Sequence, residues 1–191
     1  MEEQTKEILD EINNDTDELI ISEMEIEGIL NLSKYKNLIK INCENNNIKR
    51  ICKISNCVEI LNCSFNSIKT LTKLPNKLYS LDCAHNNINS LDNLPQELKS
   101  LNCSWNKLKS INNLPLGLIN LDCSYNKLTN LDFLPIGLVN LICNFNKIIT
   151  LDNLPFGLEV LCCVGNKIDN LNNLPKNIKT LNYNENKIIL L

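Results

Sequence analysis

A chain of 191 residues with 43% apolar content can bury one core but leaves little room for a large enzyme with an accessory domain. Nineteen basic residues against 22 acidic ones give a net charge of −3, without the positive surplus that phosphate-backbone binding needs, so no nucleic-acid partner is expected. No stretch approaches the roughly 20 apolar residues that span a bilayer, and Met1-Glu2-Glu3-Gln4 is acidic where a signal peptide is basic, so the chain reads as cytoplasmic with no membrane partner.

In residues 1–18, Ile8, Leu9 and Ile12 fall at helical spacing among acidic residues, which predicts a short amphipathic helix that caps the first repeat. Residues 19–191 repeat. The first unit runs from Leu19-Ile20-Ile21 through Ile26 and Ile29 and carries a two-residue insertion near Lys34-Tyr35. From Ile41 the period is 20: sliding the chain by that amount superimposes Leu61 and every twentieth residue to Leu181. A fixed short period predicts a solenoid, here of about nine repeats. Alternation from Leu121 to Cys123 predicts a short strand in each unit, and the wider spacing after Asn126 predicts the return, which makes nine strands. After Ile188 the sequence ends at Leu191, so the last repeat is expected to expose an apolar edge unless Tyr183, in the cysteine's place, shields it.

Stacking turns each recurring residue into a column at about 4.8 Å pitch. Asn46 and every twentieth residue to Asn186 sit where the chain leaves the strand, placed to satisfy backbone groups that no strand pairs. Cys43 and every twentieth residue to Cys163 take the inward strand position, where a thiol acts as a small hydrophobe. A pitch of about 4.8 Å exceeds the ~3.5 to 4.5 Å between the Cβ atoms of a disulfide, so free thiols and a reducing compartment are expected. A ladder also spreads ligands along a line, and Cys52 and Cys57 lack a nearby histidine, so no metal and no cofactor are expected. Pro75 and every twentieth residue to Pro175 mark the return, while Gly117, Gly137 and Gly157 are expected to relax the turn into the next strand.

The unit L-I-N-L-D-C-S-Y-N-K-L from Leu118 resembles the leucine-rich-repeat pattern L-x-x-L-x-L-x-x-N-x-L, with Cys123 in place of the third leucine, over about 170 of the 191 residues. The resemblance implies an α/β repeat: a curved solenoid with a parallel β-sheet on its concave face and short irregular or 3-10 returns on its convex face. The 20-residue length and the L-P-x-G-L return at Leu134-Pro135 resemble the short repeats of bacterial effector proteins, although Asn112 and Asp132 stand where those usually have a first proline. Asn-, Ile- and Lys-rich repeats of similar composition occur in giant viruses of amoebae; a viral origin would place the protein in the host cytoplasm. Some of the effectors carry a separate ubiquitin-ligase domain after the repeats; the sequence holds none, so that activity is not carried over.

Columns flanking the buried strand pair face the concave side and are free to vary. Asn42, Asn62, Asp82, Asn102 and Asp122, with Ser64, Ser104 and Ser124, predict a polar surface. Toward the C-terminus Val139, Ile142, Val160, Cys162 and Val164 replace polar counterparts such as Lys99, Asn102, Ser100 and Ser104, which predicts an exposed apolar patch that contacts a partner. Phe65, His85, Trp105, Tyr125 and Phe145 form five consecutive ring-bearing positions, read either as rings stacked on one another or as a flat strip that receives a peptide side chain or a sugar. Leu116, Ile136 and Phe156 are expected to pack under the return.

No catalytic residue is assigned: Cys83 points into the core while His85 sits at the rim, and there is no G-x-x-x-x-G-K phosphate loop. The leading expectation is a non-enzymatic module that binds a protein through its concave face. Carbohydrate recognition by Trp105 and Tyr125 with Asn102 and Asp122 is the alternative, and self-association through the C-terminal repeat is a third.

Overall fold

The computed structural model describes residues 2–188. Among them lie one α-helix, α1 (Glu2–Asp10), and eleven strands. Nine form a single parallel sheet in the order β1 (Glu18–Ile20), β3 (Lys40–Asn42), β5 (Ile60–Asn62), β6 (Ser80–Asp82), β7 (Ser100–Asn102), β8 (Asn120–Asp122), β9 (Asn140–Ile142), β10 (Val160–Cys162) and β11 (Thr180–Asn182). From β3 onward each strand pairs with the next at an offset of 20 residues without slip, as in Leu101↔Leu121. A one-residue slip would turn each central Leu out of the core, which is why the register holds.

The first repeat is two residues longer, Leu19↔Ile41, and the insertion ties down the helix. Tyr35 is fully buried and its hydroxyl donates to the Leu9 carbonyl at 2.8 Å. Lys34 donates to the same carbonyl and to Asp10 at 3.0 Å. Leu9 is buried, and Ile8 and Ile12 are partly buried against the core, so the apolar stripe of α1 faces inward.

A second, two-stranded sheet lies outside the nine expected strands: β2 (Glu27–Asn31) pairs in parallel with β4 (Asn47–Cys52) on the return side, with an irregularity between Gly28 and Ile29, and α1 packs on β2. Its apolar spacing, Ile48 and Ile51, recurs as Ile68 and Leu71 in the next return, which forms no strand. The sequence pattern therefore does not separate the two cases.

Each interior asparagine saturates its amide by bridging repeats. Asn106 Nδ2 donates to the carbonyls of Cys83 (2.9 Å), Cys103 (3.2 Å) and Ser104 (3.1 Å), while Oδ1 accepts from the Ile88 amide at 2.8 Å. Asn66, Asn86, Asn126, Asn146 and Asn166 repeat the pattern, each receiving the amide of the residue 18 positions earlier. The residue just before each asparagine, and Glu23 at the same place in the first repeat, lies in the left-handed region: the nine positions from Glu23 to Glu185 have φ between 49° and 66°, seven of them neither Asn nor Gly. That turn lets the amides of Trp105 and Tyr125 continue the ladder past the strand, donating to Ser124 and Asn144 at 2.9 and 2.8 Å.

On the return, each proline carbonyl accepts the amide three residues on, as in Leu118 to Pro115 at 3.1 Å. Gly117, Gly137 and Gly157 lie in these turns, but none has a positive φ, and Lys77, Glu97 and Asn177 occupy the same place in other repeats. The expectation that these glycines relax the turn is thus corrected: no conformation there requires glycine.

In the last repeat Leu181 and Ile178 are half-buried where Leu161 and Leu158 are fully buried, and Tyr183 is 40% exposed, too large for the cysteine's inward place. The expectation for Leu191 lies outside the described residues.

Replacing Asn126 by Ala strands two repeats' backbone groups and is expected to lower unfolding stability by about 1 to 3 kcal/mol. The same change at Asn186, whose amide is half-buried, should cost less. Urea unfolding followed by circular dichroism compares the two, and equal losses would contradict the bridging role.

Candidate functional site: the concave face and its aromatic rim

Strand alternation sends the central Leu of β5 to β10 into the core and leaves the first and third residues half-buried on the concave surface. In the first half this surface is polar and internally bonded. Asn102 donates to Asp82 Oδ2 at 3.0 Å, and its own Oδ1 accepts from the Ser104 amide and hydroxyl at 3.2 and 2.8 Å. Asp122 Oδ1 accepts from the Ser124 amide at 2.9 Å, a short Asx-type closure of the strand end. Ser64, Ser104 and Ser124 are buried, which corrects their reading as a surface row: the turn to left-handed backbone folds them beneath the rim.

In the second half the same columns turn apolar. Ile142 pairs in register with Cys162, and Val139, Val160 and Val164 join them, all half-buried. They are not an exposed patch in the sense expected, because neighbouring residues cover most of each. Ile119 extends the patch by one repeat; it is 40% exposed, and its carbonyl accepts the Val139 amide at 3.0 Å. Sequence reasoning missed Ile119 although it shares a column with Val139.

The five rings form one continuous stack. Centroids lie 4.0 Å apart for Phe65 and His85, 4.8 Å for His85 and Trp105, 3.8 Å for Trp105 and Tyr125, and 4.5 Å for Tyr125 and Phe145, with planes within 23° of parallel. Beyond Phe145 a side chain could not fit: a Cβ on Gly165 would lie 2.5 Å from the Phe145 ring. A flat strip offering ring faces is therefore replaced by a stack that offers ring edges, because His85, Trp105 and Tyr125 have both faces covered by neighbouring rings and Phe145 lies between Tyr125 and Gly165.

Leu116, Ile136 and Phe156 also differ from expectation. They are 76%, 81% and 71% exposed, because the proline-closed turn places the residue after proline at its tip rather than beneath it. Phe133 is exposed at a neighbouring left-handed position.

The ionisable chemistry is muted. The ladder thiols Cys43 to Cys163 are fully buried, and desolvation pushes them upward, to about 12 at Cys43 and at Cys163. All ten cysteines are free; only Cys57 is exposed, with Cys52 and Cys162 half-buried. Desolvation between its ring neighbours holds His85 below the usual 6.5, with Asp82 opposing. Among the described residues no group of three or more His, Cys, Asp or Glu is arranged to hold a metal ion, and no helix is long and apolar enough to cross a membrane.

This chemistry makes two outcomes testable. In the native protein a maleimide should label Cys57 first and leave the seven ladder thiols untouched until denaturant is added; rapid labelling of all ten would contradict the buried ladder. Because the fold favours neutral His85, the unfolded chain takes up its proton first, so this contribution to stability is intact above pH 6.5 and declines as pH falls toward the folded pKa. His85→Phe should remove that part of the pH dependence while keeping the stack, as urea midpoints across the range would read.

No protein-family model matches the chain, and no curated protein matches it. Solved structures do. YopM from Yersinia enterocolitica is 31% identical with a TM-score of 0.65, over 80% of this chain and 38% of its own length. A Shigella effector LRR domain is 25% identical with a TM-score of 0.68, over 83% of this chain and 72% of that one. The functional domain of InlJ from Listeria monocytogenes, described as including a cysteine ladder, is 24% identical with a TM-score of 0.60, over 92% of this chain and 50% of its own; this likeness bears on fold alone. The chain thus spans well under half of that YopM. The chain is a leucine-rich-repeat solenoid of 20-residue repeats, similar to those of bacterial effectors.

Proposed function

We propose that this solenoid binds a protein partner through its concave face, with the apolar patch of Val139, Ile142, Val160 and Val164 as the anchor and the ring stack from Phe65 through His85, Trp105 and Tyr125 to Phe145 as a stiff rim. On this reading residues 1–18 cap the solenoid and residues 19–191 carry the surface. The observation that carries it is the change along one column from Asn102 and Asp122 to Ile142 and Cys162. The sheet keeps its register through that change, so the fold does not require the apolar residues. Each large aliphatic side chain that goes from exposed to fully buried contributes about 1.5 to 3 kcal/mol, and one already partly buried contributes in proportion to the area still open. Four or five together suffice for an anchor, and the polar first half then selects the partner.

The carbohydrate alternative loses its main support, since Trp105 and Tyr125 spend their facing surfaces on each other and Asn102 on Asp82 and Ser104. The free thiols favour a reducing, cytoplasmic location, which would be the host cytoplasm for a viral protein; the viral origin rests on repeat composition alone.

Ile142→Asp, checked for folding by circular dichroism, is expected to lose the proteins that the wild-type chain retains from host cytosol. Equal retention by both would contradict the concave reading, and binding on a glycan array would favour the carbohydrate one.

A further inference from the structure

One column has no part in the core, the asparagine bridges or the concave patch. Two residues beyond the ring column, Lys107, Lys127, Lys147, Lys167 and Lys187 occupy five successive repeats, and all are exposed. Their backbones are in strict register: each amide donates to the carbonyl 19 residues earlier, at 2.8 Å for the first four and 2.9 Å for Lys187. The column therefore repeats at about 4.8 Å, and five ammonium groups extend over about 19 Å of rim. Among the described residues the only side-chain partner of the five is Asn87, which accepts from Lys107 Nζ at 2.6 Å, and none has a carboxylate within ion-pair distance. The acidic neighbours in the adjoining columns are Asp169 and Glu185, both at the C-terminal end, while Lys109, Thr129 and Ile149 flank the first three lysines on the far side.

The ring stack beside this row adds to its sign. An aromatic ring is negative on its faces and positive at its edge. Stacking hides the faces of Trp105, Tyr125 and Phe145 and turns their edges to solvent, next to Lys107, Lys127 and Lys147. Rim and row together make a narrow electropositive band on a chain of net charge −3.

We propose that this band receives an acidic, extended peptide segment of the partner, its carboxylates on the lysines and its intervening apolar side chains against the ring edges. The assignment rests on the protein-partner reading and adds the chemistry of the partner's contacting segment. Charge complementarity selects an anion, and three observations select a peptide. A single-stranded nucleic acid stacks its bases on open ring faces, which are covered here. A duplex or a flat membrane would reach past a band one or two side chains wide and meet the carboxylates of Asp82, Asp122 and Glu159 on the concave side. An extended chain, by contrast, is as narrow as the band.

The test is fluorescence anisotropy of a labelled peptide of alternating glutamate and tyrosine, titrated with the purified full chain at low and at physiological salt. Wild type is expected to bind, more weakly as salt rises. The triple variant Lys107→Glu, Lys127→Glu, Lys147→Glu is expected to weaken binding at least about tenfold. A control with the same charge change off the row, Lys53→Glu, Lys73→Glu, Lys77→Glu, should bind nearly as wild type. All six lysines are exposed, and circular dichroism confirms that each variant folds. Equal weakening by control and row variants would overturn the proposal, as would row-dependent binding of single-stranded DNA or phosphatidylserine vesicles in place of the peptide. Absence of peptide binding, with Ile142-dependent capture retained, would overturn the lysine row and leave the concave reading standing.

Discussion

The amide of the asparagine four residues beyond each strand, such as Asn106 after β7, is the contact on which the rest of the solenoid depends. A parallel sheet of three-residue strands pairs few backbone groups by itself, and the chain must then turn sharply within a buried rim. Asn106 resolves this by serving carbonyls of two successive repeats and accepting an amide from the return, so strand, turn and return are fixed by one side chain. Among the described residues no buried side-chain nitrogen or oxygen is left without a partner. With a bridge of this kind in every interior repeat, the repeats cannot shift relative to one another, and the 20-residue register is maintained even where the surface columns change character.

The same turn creates the rim. It demands left-handed backbone at the residue before each asparagine, a conformation that costs a bulky residue about 1 kcal/mol or more. Five rings at successive turns form four stacked pairs that return about 0.5 to 1.5 kcal/mol each and so offset part of that cost. The turn does not itself require a ring, since Glu23, Asn45, Gly165 and Glu185 take the position in the other repeats. A feature that the fold tolerates without needing it is open to use by a partner, and its stiffness means little order has to be imposed on binding.

Much of the fold is legible because translation by 20 residues turns sequence identity into spatial adjacency. The central leucines, the buried cysteines and the asparagine bridges derive from the period and from strand alternation. What cannot be read is whatever depends on where a turn points its residues. Leu116, Ile136 and Phe156 share a column with Gln96 and Lys176, and only the geometry of the proline-closed turn shows that they stand at its tip. Ser104 is polar, yet the left-handed residue after it folds it inward. The β2–β4 sheet exists because α1 and the long first repeat sit beside it, a tertiary cause that no local pattern records. The ring column is visible as a run of aromatic residues, but whether faces or edges meet the solvent is a matter of pitch. The lysine column is equally periodic, but a net charge averages it against acidic residues elsewhere and hides it.

Native-state hydrogen exchange tests the central claim most directly. The amides of Ile68, Ile88, Leu108, Leu128 and Ile148 lie outside the strands and are held by asparagine side-chain oxygens. If the asparagine bridges hold the solenoid together, these five amides should exchange as slowly as those of the sheet and open together with it. Exchange at the rate of the exposed return turns, while the sheet stays protected, would show that the strands hold the repeats by themselves and that the bridges are secondary.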